Sequence, residues 1–321
     1  MQARIRLSEY VQGLLCCPIC HGKLKQTGEQ FVCMNAECAT HFPIVDGIPV
    51  LINERSSVFS IDELIALRNG FRSIPENNLK KALRGLIPTI SKNFKGKSNY
   101  SRLGQVLLAQ SACPRVLVIG GRLLGEGMES LTESPTVELV DSDVVFGART
   151  MLICDAHDLP VVDGSFDGVI VQAVLEHVAD PYRCCEEIHR VLKDHGVVYA
   201  ETPFMQQVHG GRYDFTRFTH LGHRRLFRRF EEIESGATCG PGMALAWSYG
   251  YFLASFTTSR ILRSLVHVFA SLTSFYLKLF DYYLLDKPGA FDAASSYYFM
   301  GRKSQSVLSD RDLIKLYKGA G

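Results

Sequence analysis

Arg115-Val116-Leu117-Val118-Ile119-Gly120-Gly121 is a short apolar, β-branched run that ends in two glycines. It reads as a buried parallel strand followed by a glycine turn. The same grammar recurs downstream. Val137 to Asp141 and Met151 to Asp155 are apolar runs that each end in a carboxylate, Ser165 to Gln172 is a fourth strand, and Gly196 to Pro203 is a fifth. Pro181 to Leu192 places Cys184, Ile188, Val191 and Leu192 on one side of an amphipathic helix. Strands alternating with helices predict an α/β fold with a parallel sheet and right-handed crossovers. Ligands of such sheets bind at the carboxyl ends of the strands. Ser295 to Lys303 reads as a last, antiparallel strand.

The glycine turn lets backbone approach a ligand closely. A carboxylate after the second strand can accept both ribose hydroxyls of a nucleoside, and that of Asp155 can accept an adenine amino group. Neither contact needs a pyrophosphate, so a nucleoside ligand fits better than a dinucleotide. Asp155-Ala156-His157-Asp158-Leu159-Pro160, Phe166-Asp167, Val174-Leu175-Glu176-His177-Val178 and Glu187-Ile188-His189-Arg190-Val191-Leu192-Lys193 together resemble the class I S-adenosylmethionine-dependent methyltransferases, in particular the broad group named for ubiquinone and menaquinone methylation. The resemblance covers about residues 114–239. It implies a Rossmann-like, seven-stranded sheet and S-adenosylmethionine as cofactor. It also implies cofactor contacts at Gly120 and Gly121, at Asp141 for the ribose, at Asp155 and Ala156 for the adenine, and at Gln172 beside the methionine moiety. The chain departs from the family pattern at Val118, where an acidic residue is usual, and in a stretched loop from Gly120 to Gly127. Asp143 competes with Asp141 for the ribose. His177 reads as a packed histidine at the sheet edge rather than a catalytic base.

Upstream, Cys17-Pro18-Ile19-Cys20 and Cys33-Met34-Asn35-Ala36-Glu37-Cys38 form two knuckles. Four thiols paired at this spacing suit a tetrahedral structural zinc ion, with Cys17, Cys20, Cys33 and Cys38 as ligands. Cys16, His21 and His41 are the substitutes within reach. His41 to Ile52 then reads as a strand, a turn at Asp46-Gly47 and a second strand. Residues 10–53 resemble the small zinc-ribbon protein that activates tRNA, rRNA and protein methyltransferases.

At 321 residues the chain exceeds one small module, and its 46% hydrophobic content excludes disorder as the main state. The first residues carry Arg4, Arg6 and Glu9 and no long apolar run. No secretory signal is read there, so a cytoplasmic location is expected and a disulfide framework is not. We divide the chain into a zinc ribbon (1–53), a helical basic linker (54–113, with helical stretches at Ile61–Arg68 and Leu79–Leu86), a methyltransferase domain (114–303) and a tail (304–321). The formal net charge of +2 hides a division. Asn77 to Gly125 holds nine basic residues and no acid, Glu126 to Glu187 holds fourteen acids against Arg149 and Arg183, and Arg212 to Arg229 holds six arginines.

Thr202 to Thr219 is a loop rich in ligand-binding groups and resembles the acceptor loop of methyltransferase-like proteins associated with cell-surface glycan synthesis. In it, His209 is the candidate base and Arg217 the candidate acceptor clamp. The competing reading of Arg217 is a local pair with Asp214 that braces the loop. Residues 240–292 form an apolar helical insertion before the last strand. Its glycines, proline and aromatic residues suit an interfacial pair of helices better than a membrane span. Peripheral membrane contact through 240–285 and a homodimer interface are both expected uses of that surface. The leading expectation is methyl transfer to a small-molecule, glycan or lipid-linked acceptor. The alternatives are a non-catalytic cofactor-binding scaffold and an RNA-modifying methyltransferase. A net charge near zero and the lack of an aromatic stacking platform argue against nucleic acid.

Overall fold

The computed structural model describes residues 4–71 and 87–321. The stretch Leu79–Leu86, expected to be helical, lies outside the described residues, as do Lys80, Lys81 and Arg84 of the basic segment.

The strands are β1 (Leu24–Thr27), β2 (Gln30–Cys33), β3 (His41–Val45), β4 (Ile48–Leu51), β5 (Arg115–Ile119), β6 (Glu138–Asp143), β7 (Leu152–Cys154), β8 (Phe166–Gln172), β9 (Leu192–Pro203), β10 (Phe230–Cys239) and β11 (Ser296–Lys303). They join in one eleven-stranded sheet in the order β1-β2-β3-β4-β7-β6-β5-β8-β9-β11-β10. The run from β7 to β9 is parallel, and β11 lies antiparallel between β9 and β10. This is the expected Rossmann-like sheet, with the antiparallel last strand and the insertion before it.

The amino-terminal ribbon is not a detached module. β4 pairs in parallel with β7, in the register Val50 to Ile153 and Leu51 to Cys154. Every residue of β4 is buried. A strand covered on both faces belongs inside a sheet rather than at the rim of a small ribbon. The turn from β3 to β4 uses Asp46 at φ 54° and Gly47 at φ 76°. Two successive left-handed residues make the tight hairpin that Asp-Gly favours.

Two layers cover the central strands. On one face Val118, Ile170 and Tyr199 pack with Tyr100, Leu103 and Leu107 of the helix Gly96–Leu108. On the other, Leu117, Val169 and Val198 pack with Cys184, Ile188 and Val191 of the helix Pro181–Val191, and the same core continues into Val11, Leu15 and Phe42 of the ribbon. Each large apolar side chain fully buried this way contributes about 1.5–3 kcal/mol. Asp180 caps the helix Pro181–Val191 by accepting a hydrogen bond from the Arg183 amide, and Pro181 opens its first turn.

The arginine-rich stretch is helical only over His220–Leu226. The helix stops at Leu226, and β10 starts at Phe230. Arg224 is buried, donates to the carbonyls of Phe227 and Phe230 and pairs with Glu232 at 3.1 Å. Arg225 pairs with Asp310 at 3.0 Å, Arg228 reaches the same carboxylate at 3.5 Å, and Arg229 pairs with Glu186. These arginines hold the chain's own helix turn and tail in place.

Within the insertion, Asp281 is fully buried and accepts hydrogen bonds from the amides of Gly242 at 2.8 Å and Met243 at 2.9 Å. A carboxylate at the first turn of the helix Pro241–Ala254 satisfies free amides and the helix dipole together. Bonds to a charged group contribute about 1.5–3 kcal/mol each. Asp281→Ala is therefore expected to loosen the insertion while leaving the parallel sheet intact. Hydrogen exchange should rise across 241–285 and not across β5 or β8, and uniform protection in the variant would refute the role. Among the described residues no helix is long and apolar enough to cross a membrane.

Candidate active site

A cavity of about 750 Å³ opens along the carboxyl edge of the parallel strands. That size suits a small-molecule ligand. In strand order its floor carries Asp155 after β7, Asp143 at the end of β6, Gly120 after β5, Gln172 of β8, Glu201 of β9 and Cys239 of β10. The loops after β8 and β9 add Glu176, His177, His209 and Tyr213, and the insertion adds Met243. Five carboxylates (Glu126, Asp143, Asp155, Glu176 and Glu201) face the cavity against one guanidinium, Arg122. Such a lining favours a cationic ligand.

Gly120 has φ +78°, and a Cβ there would lie 2.4 Å from Cγ2 of Val174. Only glycine fits this turn without displacing the loop after β8. Gly121 donates to the Ser142 carbonyl at 2.8 Å, and a Cβ there would meet Asp141 Oδ1 at 2.8 Å. Gly121 thus packs against β6 and is not part of the lining.

The two carboxylates of β6 divide. Asp141 is buried one row deeper, pairs with Arg149 at 2.8 Å and does not line the cavity. Asp143 does line it, and its oxygens accept from the amides of Arg122 at 3.2 Å and Val145 at 3.0 Å. Residues two apart on a strand share a face, so the last of them reaches the edge. Burial raises the pKa of Asp143 above the ordinary aspartate value, against those amide bonds. Asp155 is held differently. Its Oδ1 accepts from the His157 amide at 3.0 Å and lies 2.5 Å from His157 Nδ1, while its Oδ2 accepts from the Ser57 hydroxyl at 2.5 Å. Burial works to raise its pKa, but the bonds from His157 and Ser57 prevail and hold it below the usual value. Ala156 lines the cavity beside it, as do Val58 and Phe59 from the segment leaving the ribbon. No sequence signal marked Ser57, Val58 or Phe59.

Gln172 sits in a network that the sequence did not disclose. Its Oε1 accepts from Tyr100 at 2.9 Å, and its Nε2 donates to Glu201 Oε2 at 2.8 Å. Glu201 also accepts from Asn93 Nδ2, at 2.9 Å to Oε2, and from the Tyr199 hydroxyl. It is a buried carboxylate with neutral donors around it and, among the described residues, no cation in contact. Burial raises its pKa, opposed by the bonds from Tyr199, Gln172 and Asn93.

In the acceptor loop, Arg217 is turned inward on the loop itself and does not line the cavity. Its guanidinium grips both oxygens of Asp214 and donates to the carbonyls of Gln206 at 2.8 Å and Gln207 at 3.1 Å. Asp214 in turn accepts from the amides of His209 at 2.8 Å and Gly210 at 3.0 Å. The pair is a brace that sets the position of His209. His177, expected as a packed residue, lines the cavity with its ring edge-on to that of His209 at a centroid distance of 4.9 Å. Gly210 permits this, since a Cβ there would lie 2.4 Å from His177 Nδ1.

In the ribbon the sulfurs of Cys17, Cys20, Cys33 and Cys38 all lie within 4.8 Å of one another. Cys17 and Cys38 are 3.7 Å apart and Cys20 and Cys33 3.5 Å. A tetrahedron with about 2.3 Å metal–sulfur bonds has edges of about 3.8 Å. The four thiols can therefore hold one metal ion. Cys16, His21 and His41 are not part of the cluster.

Residues 134–200 match the family described as "Methyltransferase domain". A UPF0434 protein of Alteromonas mediterranea is 44% identical over 57 residues, 17% of this chain and 86% of the relative. The chain contains a methyltransferase domain and carries a UPF0434-family domain at its amino terminus. A second UPF0434 protein, of Hahella chejuensis, is 42% identical over 52 residues, 16% of this chain and 83% of the relative. Among solved structures, a putative sarcosine dimethylglycine methyltransferase from Galdieria sulphuraria is 14% identical, with a TM-score of 0.43 over 66% of this chain and 86% of that one. The sulfonium cation of S-adenosylmethionine, the cofactor expected of such a domain, is complementary to the acidic cavity.

Proposed function

We propose that this methyltransferase transfers the methyl group to an amphiphilic small molecule, such as a lipid-linked or glycan-bearing acceptor. The observation that carries the reading is the double use of the insertion. Its helix Pro241–Ala254 contributes Met243 to the cavity wall. Its outer side leaves Phe252, Phe256, Ile261, Leu265, Phe269 and Tyr283 exposed. Ile261 is 75% exposed and Phe256 76%, and Arg260, Arg263, Lys278 and Lys287 lie along the same stretch. Aromatic and aliphatic residues mixed with basic ones suit the surface of an anionic bilayer. Flotation with vesicles of neutral lipid, with and without acidic lipid, tests this. Binding that strengthens with acidic lipid is expected. Absence from both vesicle fractions, with the protein eluting as a dimer, would assign the face to a second copy and defeat the reading.

Within the cavity, Asp143 takes the cofactor ribose, Asp155 and Ala156 the adenine, and Gln172 the methionine end. Asp143 replaces Asp141 because it is the carboxylate that reaches the cavity. The sulfonium already activates the methyl group, so the protein's part is to align the acceptor and exclude water. An oxygen acceptor must also lose its proton, and His209 presents Nε2 on the acceptor side. His209→Ala is expected to lower turnover by about 10²-fold while calorimetry shows cofactor affinity unchanged. Unchanged turnover would remove His209 from the reaction. In the ribbon, Cys17, Cys20, Cys33 and Cys38 hold a zinc ion with a structural role.

A further inference from the structure

We propose that Glu176, His177 and His209 hold a divalent cation on the acceptor side of the cavity. Glu176 is completely buried, and neither of its carboxylate oxygens has a hydrogen-bond partner. His177 Nε2 lies 3.7 Å and His209 Nε2 3.6 Å from Glu176 Oε1. The ligand atoms of the three residues all lie within 4.8 Å of one another.

The protonation pattern follows from the other ring nitrogens. Nδ1 of His177 lies 2.8 Å from the Tyr213 carbonyl, and Nδ1 of His209 lies 3.2 Å from the Gln207 carbonyl. A carbonyl oxygen only accepts, so the neutral His177 ring carries its proton on Nδ1 and presents a bare lone pair at Nε2, whereas Nδ1 of His209 also meets the Arg217 guanidinium, a donor, at 3.4 Å. The His177 lone pair then faces a buried carboxylate that accepts no hydrogen bond, and Nε2 of His209 closes the third side. A desolvated carboxylate without a partner costs several kcal/mol, and a cation removes that cost. Imidazoles whose second nitrogen is fixed by a backbone carbonyl are the usual supporting arrangement of metal-bound histidines. The brace of Arg217 on Asp214, and of Asp214 on the His209 amide, holds one ligand in place from behind.

Two imidazoles and one carboxylate suit Mn²⁺, Fe²⁺, Co²⁺ or Zn²⁺ and leave coordination positions facing the cavity. There the cation would bind an acceptor oxygen and ease loss of its proton. The proposal deepens the acceptor-side reading above and gives His209 a ligand's role rather than a direct base's.

Mn²⁺ alone is the probe, because it prefers nitrogen and oxygen donors and leaves the zinc-loaded thiolates undisturbed. Titration of the full chain, followed by electron paramagnetic resonance, is expected to show one saturable Mn²⁺. Glu176→Gln and His177→Ala should each weaken it by about 10–100-fold or more, whereas Cys113→Ala should not. Calorimetry with S-adenosylmethionine on the same samples separates the two readings. Cofactor binding without saturable Mn²⁺ overturns the cation site alone. Saturable Mn²⁺ that survives both ligand variants also overturns it. Loss of cofactor and Mn²⁺ binding together in the unmodified chain overturns the cation site and the methyl-transfer reading beneath it.

Discussion

Cys20→Ser combined with Cys33→Ser is expected to unfold the ribbon and to cost the methyltransferase domain its cofactor affinity as well. β1 to β4 are each four or five residues long. Strands so short cannot build an independent core, and a structural metal is the usual remedy. Zinc binding in small modules is worth about 10–16 kcal/mol of folding free energy, so removing two of four ligands should leave the ribbon without a stable fold. The damage should then spread through two contacts. β4 is hydrogen-bonded to β7, where Val50 and Ile48 cover Ile153 and Phe146. Ser57, just beyond the ribbon, donates to Asp155 in the cavity. Losing β4 bares the edge of β7, and losing Ser57 removes one of the bonds that keep Asp155 ionised. A lower unfolding midpoint, zinc released in equal amount to protein and weaker S-adenosylmethionine binding are expected together. If the ribbon were an independent appendage, the cofactor isotherm would stay unchanged once zinc had gone, and that result would sink the coupling.

The sequence made the parallel sheet readable because each strand was an apolar run closed by a glycine or a carboxylate. It did not reveal the pairing of β4 with β7, although Ile48-Pro49-Val50-Leu51-Ile52 carries the continuous apolar pattern of a strand buried on both faces. Pairing partners far apart in sequence leave no local trace. Asp141 and Asp143 could not be ranked from residues alone, since both lie on one face of β6 and only the strand's end decides which meets the cavity. Arg217 looked like a clamp because its charge was visible and its local acceptors, Asp214 and the carbonyls of Gln206 and Gln207, were not. The partners of the arginines from Arg224 to Arg229 were equally invisible, since the fold alone brings an acid or carbonyl to each. His177 sat beside Glu176 in plain view. Its meaning depended on Tyr213, 36 residues on, which fixes its ring.

Glu201→Ala is expected to abolish measurable S-adenosylmethionine binding and to destabilise the protein. Val118 occupies the place where the methyltransferase family that the sequence resembles usually carries an acid. Glu201 stands on the same face of the sheet, two residues beyond Tyr199, in the row that continues through Gln172. It is the carboxylate at which the ammonium group of the cofactor's methionine can find its counter-charge. Removing it leaves Asn93, Gln172 and Tyr199 with donors aimed at empty space, at about 1–3 kcal/mol for each orphaned group. Glu201→Gln separates charge from packing. It keeps the volume and one acceptor, and should lower cofactor affinity by about 10–100-fold, the equivalent of one charge-assisted bond. The pH dependence supplies an independent check. Burial raises the folded-state pKa of Glu201 above its unfolded value. Its contribution to stability is therefore full below the ordinary glutamate pKa and is lost as the pH rises through the raised folded value. The cofactor-free protein should lose stability across that interval relative to Glu201→Gln, which carries no titrating group there. Matching denaturant midpoints for the two proteins at every pH, together with equal cofactor affinities, would show that Glu201 is a neutral strut and that the cofactor's ammonium is met elsewhere.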